Sequence, residues 1–218
     1  MKANWKCGTK DLRATYFDSE PWYHREKTEE WYQQEETCNN TMRNALSKLP
    51  TKESNIVEVG CGGGWLALYL QKIGIKSYTG IEYSETAILN CLSKNLRKEQ
   101  FTFKQGSALS KNLYPKKADI ALAHQFIHCI IGDDRNTWYD ICKSILKPAN
   151  GKLILSSMIG VPNGLQDQIN LETRLNKPKN RIYLEDEQIQ EELKTAGFVI
   201  ESVIYPKDNY AQYLLSID

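Results

Sequence analysis

Two histidines stand four residues apart in His124-Gln125-Phe126-Ile127-His128. On a helical turn that spacing puts both imidazoles on one face. An imidazole near its ordinary pKa takes a proton from a hydroxyl, thiol or amine, so His128 and His124 are the candidate catalytic residues. A metal on this pair would need a third ligand from Asp133 or Asp134. Those acids suit the start of the following helix better, so no metal site is expected. A second group lies upstream, in NIVEVGCGGGWLALYL over residues 55–70, where Glu58-x-Gly60-x-Gly62-x-Gly64 sets an acid before a ladder of glycines. A strand that breaks into glycine and resumes as a helix can hold an anionic or nucleoside ligand, because the first N–H groups of the helix have no internal partner. No Gly-Lys-Ser/Thr closes the run, which excludes the Walker phosphate loop. The dinucleotide pattern G-x-G-x-x-G fits poorly, since Trp65 stands where its third glycine would fall. Glu82, roughly 20 residues after the loop, is an acid where a ribose needs one.

The elements that must position these groups alternate from Asn55 onward. Asn55–Val59, Tyr78–Ile81, Phe101–Lys104, Asp119–Ala123 and Lys152–Ser156 read as short strands rich in apolar and β-branched residues. Between them, Trp65–Ile73 reads as a helix stopped by Gly74. A second helix runs from the N-cap Ser84 to about Leu96, and a third covers Arg135–Leu146 before Lys147-Pro148. This alternation predicts an α/β fold, a Rossmann-like doubly wound sheet that is mostly parallel. The tail breaks the rhythm. Leu184–Ala196 is a helix closed by Gly197, and Phe198–Ile204 with Tyr210–Ile217 forms an antiparallel pair, giving one antiparallel strand near the C-terminus. Residues 1–50, with Trp5, Tyr16, Phe17, Trp22, Tyr23, Trp31 and Tyr32, are expected to form an N-terminal helical and aromatic cap or lid. Residues 51–218 form the main domain. Met158–Ile182 is a long irregular stretch, the kind of loop that often binds or covers a ligand.

Bulk properties narrow the classes. The chain has 218 residues, 25% of them charged, and a net charge of +1. One domain with a full core fits that length. Its balanced charge shows no basic excess in the totals, so DNA is not the expected partner, although the totals leave room for a local basic patch. Apolar runs are far shorter than a membrane span, and no signal peptide is expected at the start. The six cysteines show no C-x-x-C pair, which disfavours zinc and disulfides and suits a reducing cytoplasm.

The glycine ladder and its acid resemble the class I S-adenosylmethionine-dependent methyltransferases, in which such a motif wraps the methionyl part of the cofactor. The resemblance runs from about Asn55 to the C-terminus. Glu82 stands where family members bind both ribose hydroxyls. Gly106-Ser107-Ala108 stands where the family usually has Gly-Asp-Ala, with the aspartate on the adenine amino group. Here Ser107 replaces it, which leaves adenine to backbone and hydroxyl contacts. Asp119-Ile120-Ala121-Leu122, Leu146-Lys147-Pro148-Ala149-Asn150-Gly151 and Ala196-Gly197-Phe198 match further landmarks in order. The resemblance implies S-adenosyl-L-methionine as cofactor, held by Glu58, Gly60, Cys61, Gly62, Gly64, Glu82, Tyr83, Ser107, Ala108 and His124. Glu58 either braces the loop by accepting its backbone N–H groups or meets the ligand directly.

The segment after the fourth strand lacks the Asn/Asp-Pro-Pro-aromatic signature of enzymes that methylate base amino groups or glutamine amides. No carboxylate for aminopropyl transfer stands at His124 or Gln125 either. The expected acceptor is therefore a small molecule methylated on O, N or S. Alternatives are a protein, peptide or RNA acceptor, or a cofactor-binding module without catalysis. Tyr16, Trp22 and Tyr23 of the cap, and Arg174 and Arg181 of the long loop, are candidate acceptor contacts, the arginines for an acidic group. A monomer or homodimer without membrane partners is expected.

Overall fold

A computed structural model of the chain describes residues 40–170, 174–176 and 181–217. Tyr16, Trp22, Tyr23 and the rest of the expected cap up to residue 39 lie outside the described residues. The strands are β1 (Asn55–Val59), β2 (Ser77–Glu82), β3 (Phe101–Gln105), β4 (Ile120–His124), β5 (Lys152–Met158), β6 (Ile169–Asn170), β7 (Leu175–Asn176), β8 (Arg181–Ile182), β9 (Phe198–Lys207) and β10 (Tyr210–Ile217). The helices after residue 46 are α1 (Trp65–Ile73), α2 (Glu85–Ser93), α3 (Asp133–Ile145) and α4 (Asp186–Thr195).

Seven strands form one sheet in the order β3-β2-β1-β4-β5-β10-β9. The pairs from β3 to β5 are parallel, and β10 runs antiparallel to both β5 and β9. The doubly wound sheet with one antiparallel strand near the C-terminus is thus the observed fold. Successive β1 residues face opposite sides, as strand geometry requires. Val57 and Val59 join a core with Trp138, Tyr139 and Cys142 of α3 and Ile189 and Leu193 of α4. Ile56 joins a second core with Leu66, Ala67 and Leu70 of α1. Residues 40–46 are helical as well, and they bury Met42 and Leu46 in that second core.

Boundaries follow local chemistry. Helix α1 ends at Gly74, left-handed at φ 75°, whose N–H bonds Gln71 O. Ser84 caps α2 by accepting from Ala87 N at 3.3 Å. That helix stops at Ser93 rather than Leu96, because Lys94 turns extended. Helix α3 starts two residues before Arg135, with Asp133 and Asp134 in its first turn. The stretch from Met158 to Ile182 is less irregular than its composition suggests. It contains β6, β7 and β8, an antiparallel sheet in that order, and β8 packs on the turn after β4.

Candidate functional site

The glycine loop joins β1 to α1 at the carboxyl end of the parallel strands, where ligands of open α/β sheets bind. Its glycines meet different surroundings. Gly60 has φ +68°, and a Cβ there would lie 2.6 Å from Phe126 Cδ2, so the loop packs against the chain that leaves β4. Gly62 has φ +51° and nothing within 4 Å of the Cβ position, so it borders open space. A Cβ on Gly64 would lie 2.8 Å from Cys91 Sγ of α2. The Cys91 thiol also donates to Gly62 O at 3.2 Å, and Cys61 and Cys91 are both buried free thiols. Gly60 N and Cys61 N donate to Ile81 O at 2.8 and 3.1 Å, which fastens the loop to the end of β2.

Glu82 completes that junction. Its Oε2 accepts from Gly62 N at 3.1 Å, and its Oε1 accepts from Tyr83 N at 2.8 Å and Ser84 N at 3.0 Å. Burial raises its pKa, opposed by those three N–H donors. Glu58 bonds differently from the expected brace: its Oε2 accepts from the Tyr78 hydroxyl at 2.5 Å. The reason is register. Tyr78 on β2 and Glu58 on β1 lie on adjacent parallel strands, and Tyr78 is fully buried beside Phe101 and Phe103. Burial pushes the Glu58 carboxyl up to about 8, with the Tyr78 bond opposing and the nearby Glu82 charge adding. At the end of β3, Gly106 N donates to Glu82 O at 2.9 Å, bringing Ser107 and Ala108 beside the same junction. Ser107 Oγ accepts from Leu109 N at 3.2 Å, and Ala108 O accepts from the Tyr114 hydroxyl at 2.7 Å.

The two histidines do not share a helical turn. His124 is the last residue of β4, and Gln125 follows it at φ 50°, an uncommon left-handed conformation for a residue with a side chain. That turn reverses the chain into the 3-10 turn Ile127–Cys129, which carries His128. His124 Nδ1 lies 3.3 Å from the Tyr210 hydroxyl of β10. Burial, with the Lys207 charge adding, pushes the His124 imidazole down to about 4. His128 is 3% exposed. Burial, then Arg181, Arg135 and His124, holds its pKa well below the ordinary value. Both rings are therefore neutral near pH 7. His124 Nε2 and His128 Nδ1 are buried without a hydrogen-bond partner among the described residues.

The candidate arginines separate. Arg181, on β8, carries its charge close enough to Cys129 and Tyr183 to oppose the rise in pKa that burial gives each of them. Arg174 Nε donates to Tyr183 O at 2.8 Å, and its Nη2 pairs with Glu185, the N-cap of α4. Its guanidinium thus ties the small sheet to α4.

Sequence reasoning missed Arg135. Its side chain is 4% exposed and forms a bidentate pair with Glu192 of α4, Nε to Oε1 at 3.0 Å and Nη2 to Oε2 at 2.6 Å. Nη1 donates to Ile127 O at 2.6 Å and Ile130 O at 3.1 Å, gripping the turn on both sides of His128. The Tyr139 hydroxyl donates to Glu192 Oε2 at 3.2 Å. A signal was available: Arg135, Trp138, Tyr139 and Cys142 recur at helical spacing on the buried stripe of α3. An arginine on such a stripe must find a buried partner.

Residues 57–155 match the family model of a methyltransferase domain. The ribosomal protein L11 methyltransferase of Haemophilus influenzae is 30% identical over 116 residues, which is 52% of this chain and 37% of that protein. The chain thus spans about 37% of the length of the curated relatives it matches. Among solved structures, the DhpI-SAM-HEP complex superposes with a TM-score of 0.65 at 14% identity, covering 94% of this chain and 96% of the other. An S-adenosylmethionine-dependent methyltransferase from Mesorhizobium loti gives 0.61 at 17% identity over 78% and 94%. The [4+2]-cyclase SpnF gives 0.63 at 18% identity over 77% and 76%. These likenesses share the fold. Residues 57–155 thus match a methyltransferase domain, and the sheet order and acid–glycine loop around them resemble those of the class I S-adenosylmethionine-dependent methyltransferases.

Proposed function

We propose that the protein transfers a methyl group from S-adenosylmethionine to an O, N or S atom of a small molecule. The observation that carries this reading is the contrast at the loop: Gly60 and Gly64 are filled against Phe126 and Cys91, while Gly62 opens onto space beside the Glu82 carboxylate. The residues fit the cofactor. Gly60, Cys61, Gly62 and Gly64 would hold its methionyl end with His124, Glu82 and Tyr83 its ribose, and Ser107 and Ala108 its adenine. A carboxylate offers about four acceptor positions, and Glu82 uses three. A ribose diol would take the fourth and compete with Gly62 N–H, the longest of the three bonds. Glu58 supports the loop from behind through Tyr78 and remains protonated near neutrality.

When bound, the cofactor supplies an electrophilic methyl group on a sulfonium. His124 and His128 then meet the acceptor from β4 and the turn behind it. Being neutral, each offers a lone pair or an N–H to the acceptor. Their burial excludes water from the reacting atoms. A protein, peptide or RNA acceptor is the second reading, favoured by the likeness to a ribosomal protein methyltransferase, although that protein is much longer than this chain. The test is calorimetric titration with S-adenosylmethionine, followed by radiolabelled methyl transfer to fractionated small-molecule, protein and RNA pools. Saturable binding and label in the small-molecule pool support the proposal. Label confined to macromolecules replaces it with the second reading, and binding without turnover reduces the protein to a cofactor-binding module.

A further inference from the structure

Two unsatisfied ring nitrogens at the end of β4 bear on the kind of acceptor. His124 Nε2 and His128 Nδ1 are buried and have no hydrogen-bond partner among the described residues. Leaving such an atom unpaired in the folded chain is unfavourable, so each nitrogen calls for a partner. Cations stand on both sides. Arg181 lies on β8, which packs on the turn that carries His128. Lys207, at the end of β9, holds its ammonium 5.3 Å from the centre of the Tyr210 ring, whose hydroxyl bonds His124. The Glu82 carboxylate is held by three backbone N–H groups and that of Glu58 by the Tyr78 hydroxyl.

We propose that the methyl acceptor is an oxyanion, a carboxylate or a phosphate-type group on a small molecule, seated between His124 and His128 with Arg181 and Lys207 countering its charge. This rests on the methyltransferase reading above. The chemistry balances without a base. The oxyanion gives a lone pair to the methyl carbon, the O–C bond forms as the C–S bond breaks with its pair going to sulfur, and no proton has to leave. That suits a site whose imidazoles are held neutral and are poor proton sinks. Neutral N–H groups and nearby cations orient an anion without removing its nucleophilic lone pair.

The chain has only three histidines, His24, His124 and His128, so their ring signals can be followed one by one after isotope labelling. The protein is first loaded with S-adenosylhomocysteine, with binding measured by calorimetry. It is then titrated with acetate, with methylphosphonate and with neutral acetamide. The expected result is a saturable shift of the His124 and His128 signals by at least one of the two anions and not by acetamide. Affinity for that anion should fall about tenfold in Arg181→Gln and several-fold in Lys207→Gln, with S-adenosylhomocysteine affinity kept. Lys207 is exposed, so its variant tests the idea even if Arg181→Gln does not fold. Equal binding of acetamide, static ring signals, or unchanged affinity in the folded variants overturns the proposal and leaves the methyltransferase reading standing. Failure to bind S-adenosylhomocysteine removes that reading, and this one with it.

Discussion

Glu58→Gln isolates one buried proton. Glu58 has an ordinary pKa of 4.5 and is pushed up to about 8 in the folded chain, chiefly by burial. A carboxyl raised on folding stabilises the native state fully below the unfolded pKa and loses that contribution as pH rises through the folded one. Above pH 4.5 the unfolded chain gives up this proton while the native chain keeps it, so stability falls by about 1.4 kcal/mol per pH unit until near pH 8. His124 and His128 act in the opposite direction but lower down, since their depressed values destabilise the native state only below about 6.5. Between pH 6.5 and 8 the carboxyls therefore dominate, and Glu58 contributes a loss of roughly 1.5 kcal/mol. Gln keeps an oxygen for the Tyr78 hydroxyl and carries no titrating proton. Urea unfolding followed by the fluorescence of the five tryptophans, at steps across that window, measures both proteins. The wild type should lose stability with rising pH, and the variant should lose less by about 1.5 kcal/mol. Identical slopes would show that Glu58 is already ionised in the native protein, and the reasoning about its burial would be wrong. Glu82, also raised, leaves a residual slope of the same sign in the variant.

Glu192→Ala should cost about 3–5 kcal/mol, because it strands the buried Arg135 guanidinium, and Arg135→Met with Glu192→Leu should recover much of that in the same urea assay. Little loss in the single variant would mean that the pair is not held as described. Gly62→Ala should fold, with a penalty of about 1 kcal/mol for its positive φ, yet lose at least tenfold in S-adenosylmethionine affinity by calorimetry. Retained affinity would remove the loop from the cofactor site. Gly60→Ala should lower the melting temperature more than Gly62→Ala does, since its methyl meets Phe126, and thermal unfolding compares the two directly.

The parts legible in the sequence were those written in local chemistry. Strand β1 and helix α1 sit where their apolar runs and glycines put them, and Gly74, Ser84 and Gly197 mark the ends they were read to mark. Strands β6, β7 and β8 had no such signal, because two residues are too short for an alternation to register. The histidine spacing misled for a related reason. Four residues mean one helical face only if the backbone is helical, and Gln125 turns left-handed between the two rings. Glu58 was read as either bracing the loop or meeting the ligand, and its hydrogen-bond partner Tyr78, on the neighbouring strand 20 residues on, was not foreseen. The Arg135–Glu192 pair spans 57 residues and joins two helices, so only the charge on an apolar stripe hinted at it.

Met42 and Leu46 have a consequence for where the folded unit starts. Both are buried to within 1% of full, among Ile56, Leu70 and Ile154, and Gln212 Nε2 reaches Met42 Sδ from β10. Each such side chain contributes about 1.5–3 kcal/mol of burial. A protease that severs the chain between residues 47 and 50 would release a peptide that had sealed one face of the sheet, and the remainder would expose Ile56 and Leu70 to water.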